Sequence, residues 1–472
     1  MYEARYVSAG SGSTVFFRRV GVASRSVPGG GGNSEDEVDD AGPGIDPAAA
    51  SGERSRFGRA ARAVAIDVSL LRDNPAYRHL WVGLTVSQLG SAMTLVAVPV
   101  QVYALTKSSL AVGMLGLVGL VPLIVFGLYG GALADALDRR RLALLTSTGL
   151  LVTSAVLVAQ AALDLDQLWL IYAVVAVQAA LFAIDNPTRN AIIPRVVEPG
   201  RLPTANALAQ LTFNLGFTVG PLIAGVVITV AGLETAYAID AASFLAAVYA
   251  LSRLPPLPPD GNARRAGLRS VLEGLRFVST RTILLVSFLA DIAAMVLVMP
   301  KALYPELAET VFAGGPDTVG LLFGAMGAGG LVAAALGGWM SRVHRHGLAV
   351  LVAVAAWALA IIGFGLSPVL WLALAFLALA GASDLVSAVF RTSILQAAAP
   401  DEMRGRLFGL NIIVVTGGPR LADVRAGAVA VLFSPTVAVI SGGITCLVAI
   451  VLLLMRFPAF ARYDARTLLP PG

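Results

Sequence analysis

From Leu80 onward the chain alternates long apolar blocks with short polar breaks. Twelve blocks stand at about 80–105, 110–134, 142–162, 168–188, 205–231, 236–254, 282–300, 318–340, 348–366, 369–391, 406–432 and 435–455. Each is long enough for a helix across a ~30 Å hydrocarbon core and far too long for a barrel strand. Trp81, Trp169 and Trp371 stand at block ends, where amphipathic rings favour the headgroup level. Glycine and proline occur freely inside the blocks, which membrane helices tolerate because neighbouring groups satisfy the freed backbone. The pattern predicts an all-α integral membrane protein with twelve transmembrane helices.

The polar segments divide the chain. Residues 1–63 show little apolar periodicity. They hold Pro28, the glycine run Gly29 to Gly32 and the acidic group Glu35, Asp36, Glu37, Asp39 and Asp40, a composition that predicts disorder. No apolar core with a cleavage site marks a secretory signal. This leader reads as a misassigned start, with the natural one near Val64. Alternatively, Arg54, Arg56, Arg59 and Arg62 form a juxtamembrane basic patch on anionic lipid. The longest internal break, 255–281, opens with Pro255, Pro256, Pro258 and Pro259 and carries five arginines from Arg264 to Arg281. It separates a six-helix half, 64–254, from a second, 282–456, with a tail at 457–472. The halves echo each other: Gly130-Gly131 before Arg139 in span two matches Gly337-Gly338 before Arg342 in span eight. Two six-helix halves in parallel repeat form a transporter plan.

Composition sharpens this picture. With 57% hydrophobic and 13% charged residues, and a mean hydropathy of +0.79, the chain lies far from soluble enzymes. The net charge of +5 suggests an anionic partner until the charges are placed. Breaks on one side (135–141, 189–203, 253–281, 341–347, 391–406, 456–472) carry 20 Lys and Arg, whereas those on the other carry only Lys107 and Lys301. Under the positive-inside rule this bias puts both termini in the cytoplasm. No basic stripe interleaved with aromatics marks a nucleic-acid surface. The lone Cys446 allows neither an internal disulfide nor a cysteine metal cluster. His344 and His346 read as solvated loop residues rather than metal ligands.

Three motifs narrow the family. Span two ends in Gly131-x-x-x-Asp135-x-x-x-Arg139-Arg140-Arg141, which resembles the gating signature loop of the major facilitator superfamily. Span five carries Gly216-x-x-x-Gly220-Pro221-x-x-x-Gly225, similar to the glycine motif of drug/proton antiporters; four-residue spacing aligns small residues along one groove. The runs Ala97-Val98-Pro99-Val100-Gln101, Met299-Pro300-Lys301-Ala302-Leu303-Tyr304-Pro305 and Phe390-Arg391-x-x-Ile394-Leu395-Gln396 resemble the enterobactin exporter branch, which includes macrolide-efflux-like proteins. Macrolide-efflux relatives often follow the span-one glycine with an acid, whereas here Gly90 precedes Ser91.

Charges inside the spans are the sharpest functional pointers, since each costs about 2.5–3.5 kcal/mol at a helix centre on insertion scales. Asp291 lies half-way along span seven. Asp384 lies two turns before Arg391 on one face of span ten. Arg420 and Asp423 in span eleven, and Asp185 and Arg189 in span four, are spaced to pair. Asp240 is expected at the outer interface. The resemblance implies a proton-coupled secondary exporter of a siderophore or hydrophobic drug, working by alternating access as a monomer in the bacterial inner membrane. Asp291 and Asp384 are the proton or substrate candidates, with Arg391 and Arg420 as anion partners. No cofactor is implied beyond the proton gradient, and no nucleotide-binding loop is present. An uptake permease of the same fold, or a membrane-embedded enzyme, are the alternatives.

The leader reading makes a prediction. N-terminal sequencing of protein from its native host is expected to begin near Val64, and an intact Met1 or Tyr2 overturns it.

Overall fold

The computed structural model describes residues 68–259 and 268–464; the expected leader, the centre of the 255–281 linker and most of the tail lie outside them. Eleven helical stretches are long and apolar enough to cross a bilayer, and the longest, Pro199–Ser252, must account for two passes. As one straight helix its main part, Leu202–Ser252, would run about 77 Å at 1.5 Å per residue, more than twice the hydrocarbon core. It turns at Gly232, whose φ of 81° lies in the left-handed region that glycine tolerates.

The membrane helices are therefore α1 (Pro75–Thr106), α2 (Ser109–Ala136), α3 (Arg139–Ala162), α4 (Leu168–Val196), α5 (202–231) and α6 (233–252) in the first half. The second half holds α7 (Thr282–Leu297), α8 (Pro316–Ala335), α9 (His346–Leu366), α10 (Leu370–Ala398), α11 (Asp401–Leu432) and α12 (Pro435–Arg456). A short amphipathic helix, Leu268–Thr280, precedes α7. The reversal at Gly232 shows in how α1 is packed. Going up α1, Trp81, Gln88 and Ala92 meet Leu208, Gly216 and Gly220 of α5 in ascending order. Gly83, Gly90 and Thr94 meet Ala250, Ser243 and Asp240 of α6 in descending order.

Several boundaries differ from those read off the hydropathy. Helix α4 continues to Val196 and α10 to Ala398, so Arg189 and Arg391 belong to helix interiors and not to arginine-rich breaks. Their charges do not end the helices because each is neutralised by an aspartate (below). Helix α8 stops at Ala335, where Gly337–Arg342 takes over as a 3-10 turn. Helix α7 ends at Leu297, ahead of Pro300, and the chain resumes as a 3-10 turn, Lys301–Leu303, and a short helix, Tyr304–Thr310.

The two halves meet along α2–α11 and α5–α8, and they meet unevenly. On the face opposite the arginine-rich breaks, Gly113 and Gly116 of α2 lie against the backbone of Asp423 and Arg420 on α11. Gly225 of α5 and Gly320 of α8 face one another, and a Cβ on Gly225 would come 3.0 Å from the Cα of Gly320. Polar contacts lock this edge. Lys107 pairs with Glu309 at 2.7 Å, Ser109 Oγ donates to Glu306, and Asp317 N donates to Thr229 Oγ1 at 3.0 Å. Toward the arginine-rich face Gly127 of α2 and Gly409 of α11 have no such neighbour among the described residues where a Cβ would stand. Close glycine contact between α2 and α11 is therefore found on one face and not on the other.

Leucine at Gly320 is expected to prise α5 from α8. A disulfide between cysteines placed at Thr229 and Asp317, in a Cys446→Ser background, should form readily in the parent and in markedly lower yield with Gly320→Leu. Equal yields would show that these glycines do not seat the seam.

Candidate functional site

The buried charges of the second half form one alternating series. Asp291 of α7 and Arg391 of α10 are both buried, and their Oδ1 and Nη1 stand 2.5 Å apart. Apolar α7 can carry this carboxylate because α10 supplies the guanidinium across the helix contact; an unpartnered ion there would cost several kcal/mol more. Asp384 lies seven residues before Arg391, about 10 Å along the helix, and its charge interacts with Arg391 and with Lys301. Lys301 follows Pro300, which ends the run of α7, and its side chain turns inward. Its Nζ stands 5.2 Å from the ring centre of Phe217 on α5, a cation–π geometry, and Phe217 stacks on Phe213 at 6.2 Å. Lys301 in turn interacts with Asp423 of α11. Asp423 Oδ1 accepts from the backbone N–H of Ala302 at 3.0 Å.

Followed from partner to partner, the signs alternate: Asp291, Arg391, Asp384, Lys301, Asp423, Arg420. Three carboxylates face three cations, so the set is electroneutral in a medium that penalises net charge. It also touches the other half at two points. Lys301 reaches Phe217 of α5, and the Arg420 guanidinium lies against Gly119 of α2, where any side chain would displace it.

The first half holds a separate cluster. Asp185 and Arg189 pair within α4 at 2.5 Å. Thr146 Oγ1 donates to Asp185 Oδ1 at 2.6 Å, and Arg189 Nη2 donates to Ser147 Oγ at 3.0 Å. This pair pins α4 to α3 and does not join the second-half series.

Two expectations are corrected. Arg420 and Asp423 interact in charge but do not close an ion pair; Asp423 accepts from Ala302 N, and Arg420 lies against α2. Asp240 is not water-exposed: it is 1% exposed, and its Oδ2 accepts from Thr94 and Ser154. Arg391 touches Asp291 of a different helix, a contact that same-face spacing within span ten does not reveal. The residue that the sequence reading missed is Lys301, assigned there to an outer break. Its signal was present, since it is one of two lysines in a chain of 32 arginines and directly follows a helix-ending proline.

The described residues of the signature loop and the glycine motif make close packing and hydrogen-bond contacts. Asp138 caps α3, accepting from Arg141 N at 2.9 Å and from Leu257 N at 3.0 Å. Arg140 Nη2 donates to the Ser252 carbonyl at 2.6 Å, close to the end of α6, and Arg139 is buried beside it. Gly131 and Asp135 lie in α2, but their side-chain surroundings fall outside the described residues. In the glycine motif, Gly216 and Gly220 seat α1, while Gly225 and the Pro221 carbonyl seat α8 across the seam. Among the described residues no cluster of His, Cys, Asp and Glu is arranged to hold a metal.

Breaking the Asp291–Arg391 pair is expected to cost stability. Arg391→Gln should lower the unfolding free energy by about 3–5 kcal/mol, as for a buried charge left alone, and Asp291→Asn in the same chain should recover part of that loss. Thermal unfolding in detergent checks both. Additive losses would show that the two residues are not a pair.

Comparison with known proteins agrees with this architecture. The family model of transmembrane secretion effectors matches residues 69–470. The enterobactin exporter of Shigella boydii serotype 18 is 28% identical over 84% of this chain and 95% of its own length. That of Citrobacter koseri is 28% identical over 86% and 98%. Among solved structures, the nucleoside transporter NupG superposes with a TM-score of 0.65 at 14% identity, covering 82% of this chain and all of its own. A bacterial homologue of the lysosomal transporter Spinster, in an inward-facing and unoccupied conformation, gives 0.61 at 15% identity, covering 84% and 98%.

Proposed function

The chain belongs to the transmembrane secretion effector family, and from that premise we propose that it exports a small molecule in exchange for protons. It is a multi-pass membrane protein with the major facilitator fold. Its alternating halves are the machinery of secondary transport. Placing the arginine-rich face in the cytoplasm, as the positive-inside rule directs, makes the present conformation inward-facing: closed outside, open to a cytoplasmic substrate. Both termini then lie in the cytoplasm and the membrane is the bacterial inner membrane. The protein works as a monomer without cofactor, drawing energy from the proton gradient.

The observation that carries the coupling is the buried Asp291–Arg391 pair, linked through Asp384 and Lys301 to the seam between the halves. A proton on Asp291 removes the anion that holds Arg391 and leaves the series with a net positive charge. In a low-dielectric site that charge is costly, so the protonated series favours a different arrangement of α7 and α10. Because Lys301 and Arg420 lean on α5 and α2, a shift in the second half is felt by the first. In the exchange cycle the proton enters from outside after the substrate leaves, and its release to the cytoplasm restores the Asp291–Arg391 pair of the inward-facing state. Similarity to enterobactin exporters supports a siderophore as substrate, with a hydrophobic drug or antibiotic the other candidate class. Work is done by moving the substrate, not by bond chemistry.

Asp291→Asn and Asp384→Asn are each expected to slow proton-driven efflux from cells, or uptake into inverted vesicles, by about tenfold or more, a barrier change of at least ~1.4 kcal/mol. Wild-type rates in both remove these residues from the mechanism. A deletion strain scored in parallel for siderophore secretion under iron limitation and for drug sensitivity separates the substrate classes. Accumulation of substrate in whole cells, in place of depletion, would instead mark an uptake permease.

A further inference from the structure

Five aspartates are embedded in the described spans, and four of them face a cation. Asp185 has Arg189, Asp291 has Arg391, Asp384 has Arg391 and Lys301, and Asp423 has Lys301 and Arg420. Asp240 of α6 is the exception. Among the described residues no Arg, Lys or His bears on it; its partners are Thr94 of α1 and Ser154 of α3. The one titratable neighbour is Tyr237 on its own helix, whose hydroxyl donates to Gln101 Oε1 at 2.8 Å.

The geometry at the carboxyl is lopsided. Thr94 Oγ1 and Ser154 Oγ both donate to Oδ2, at 2.6 and 2.7 Å, whereas Oδ1 is buried without a partner. Helices α1 and α6 are pressed together beside it: a Cβ at Gly90 would collide with Ser243 and stand 3.3 Å from the Asp240 Cα. A carboxylate with no cation and one unsolvated oxygen is among the costlier groups to bury, whereas a neutral carboxylic acid leaves only one ordinary polar atom unpaired.

We infer that Asp240 is a proton-binding site of the first half, occupied in this conformation, that ties α1, α3 and α6 together through the neutral acid. Loss of the proton leaves an uncompensated charge at the point where α1 and α6 are pressed together. The charged form is tolerated only if water or a cation enters between those helices, so the proton's departure is linked to loosening of the α1–α3–α6 contact. The site is chemically independent of the Asp291–Arg391 series, which lies in the other half. It does not depend on the direction of transport or on the substrate.

The test is a pH titration of the full-length protein in lipid, followed by infrared difference spectroscopy of the carboxylic-acid carbonyl band. In an Asp291→Asn, Asp384→Asn background a protonated-acid band that disappears as pH rises is expected, and it is expected to vanish when Asp240→Asn is added. The same band persisting after Asp240→Asn is added overturns the assignment. Should the asparagine variant fold poorly, Thr94→Val serves in its place. It removes a hydroxyl that favours the anion, so the titration should move about one unit or more upward in pH; an unmoved or downward-shifted midpoint also overturns it. Loss of efflux in Asp291→Asn with an intact Asp240 band would separate the two sites, since the band reports proton binding whether or not export occurs.

Discussion

A charge inside hydrocarbon must be matched, and most of this molecule's second half is organised around that requirement. Asp291, Asp384 and Asp423 stand on three elements, and Arg391, Lys301 and Arg420 are interleaved between them. No member is tolerable alone, because the lipid offers no solvent for an orphaned ion. Alternation of sign solves the problem for the set as a whole, and the solution is cooperative: changing the charge on one member unbalances its neighbours. The series also runs to the edge of its half, where Lys301 lies over Phe217 and Arg420 lies against Gly119.

The glycines supply the complementary device. Helices in lipid gain no hydrophobic drive toward one another, so close approach of backbones and the packing it permits hold them together. Gly225 against Gly320, and Gly113 and Gly116 against α11, bring the halves into contact on one face. The polar contacts of Lys107, Ser109 and Thr229 close the same edge. Exposed ion pairs contribute little, so the Lys107–Glu309 pair adds little to what the glycine contacts already hold.

Much of the architecture was legible because bilayer thickness translates directly into block length. Twelve spans, the division at 255–281 and the orientation bias all follow from where apolar runs stop and arginines stand. Helix ends were less legible. Reading a charge as the end of a span placed Arg189 and Arg391 in breaks, whereas their helices run on to Val196 and Ala398. A charge ends a span only when it is unpaired, and pairing is a tertiary fact. Asp185–Arg189 was readable from four-residue spacing, because helical geometry alone brings such residues together. Lys301 was misread for the opposite reason: its position after Pro300 looked peripheral, but the chain folds back and turns the ammonium inward.

What the sequence determines by itself is everything set by one-dimensional distance: the number of spans, the repeat, the arginine bias between alternate breaks, and the glycine groove of span five. Only the tertiary structure decides which carboxylate meets which cation. Arg391 is two turns from Asp384 on its own helix, yet it touches Asp291, a hundred residues away in sequence. Asp240 and Asp291 look equivalent as letters in apolar blocks; one is met by a guanidinium and the other by two hydroxyls. The reason is physical. A buried charge is defined by its nearest neighbours, and in a helical bundle those neighbours come from helix packing, which block length and composition do not encode.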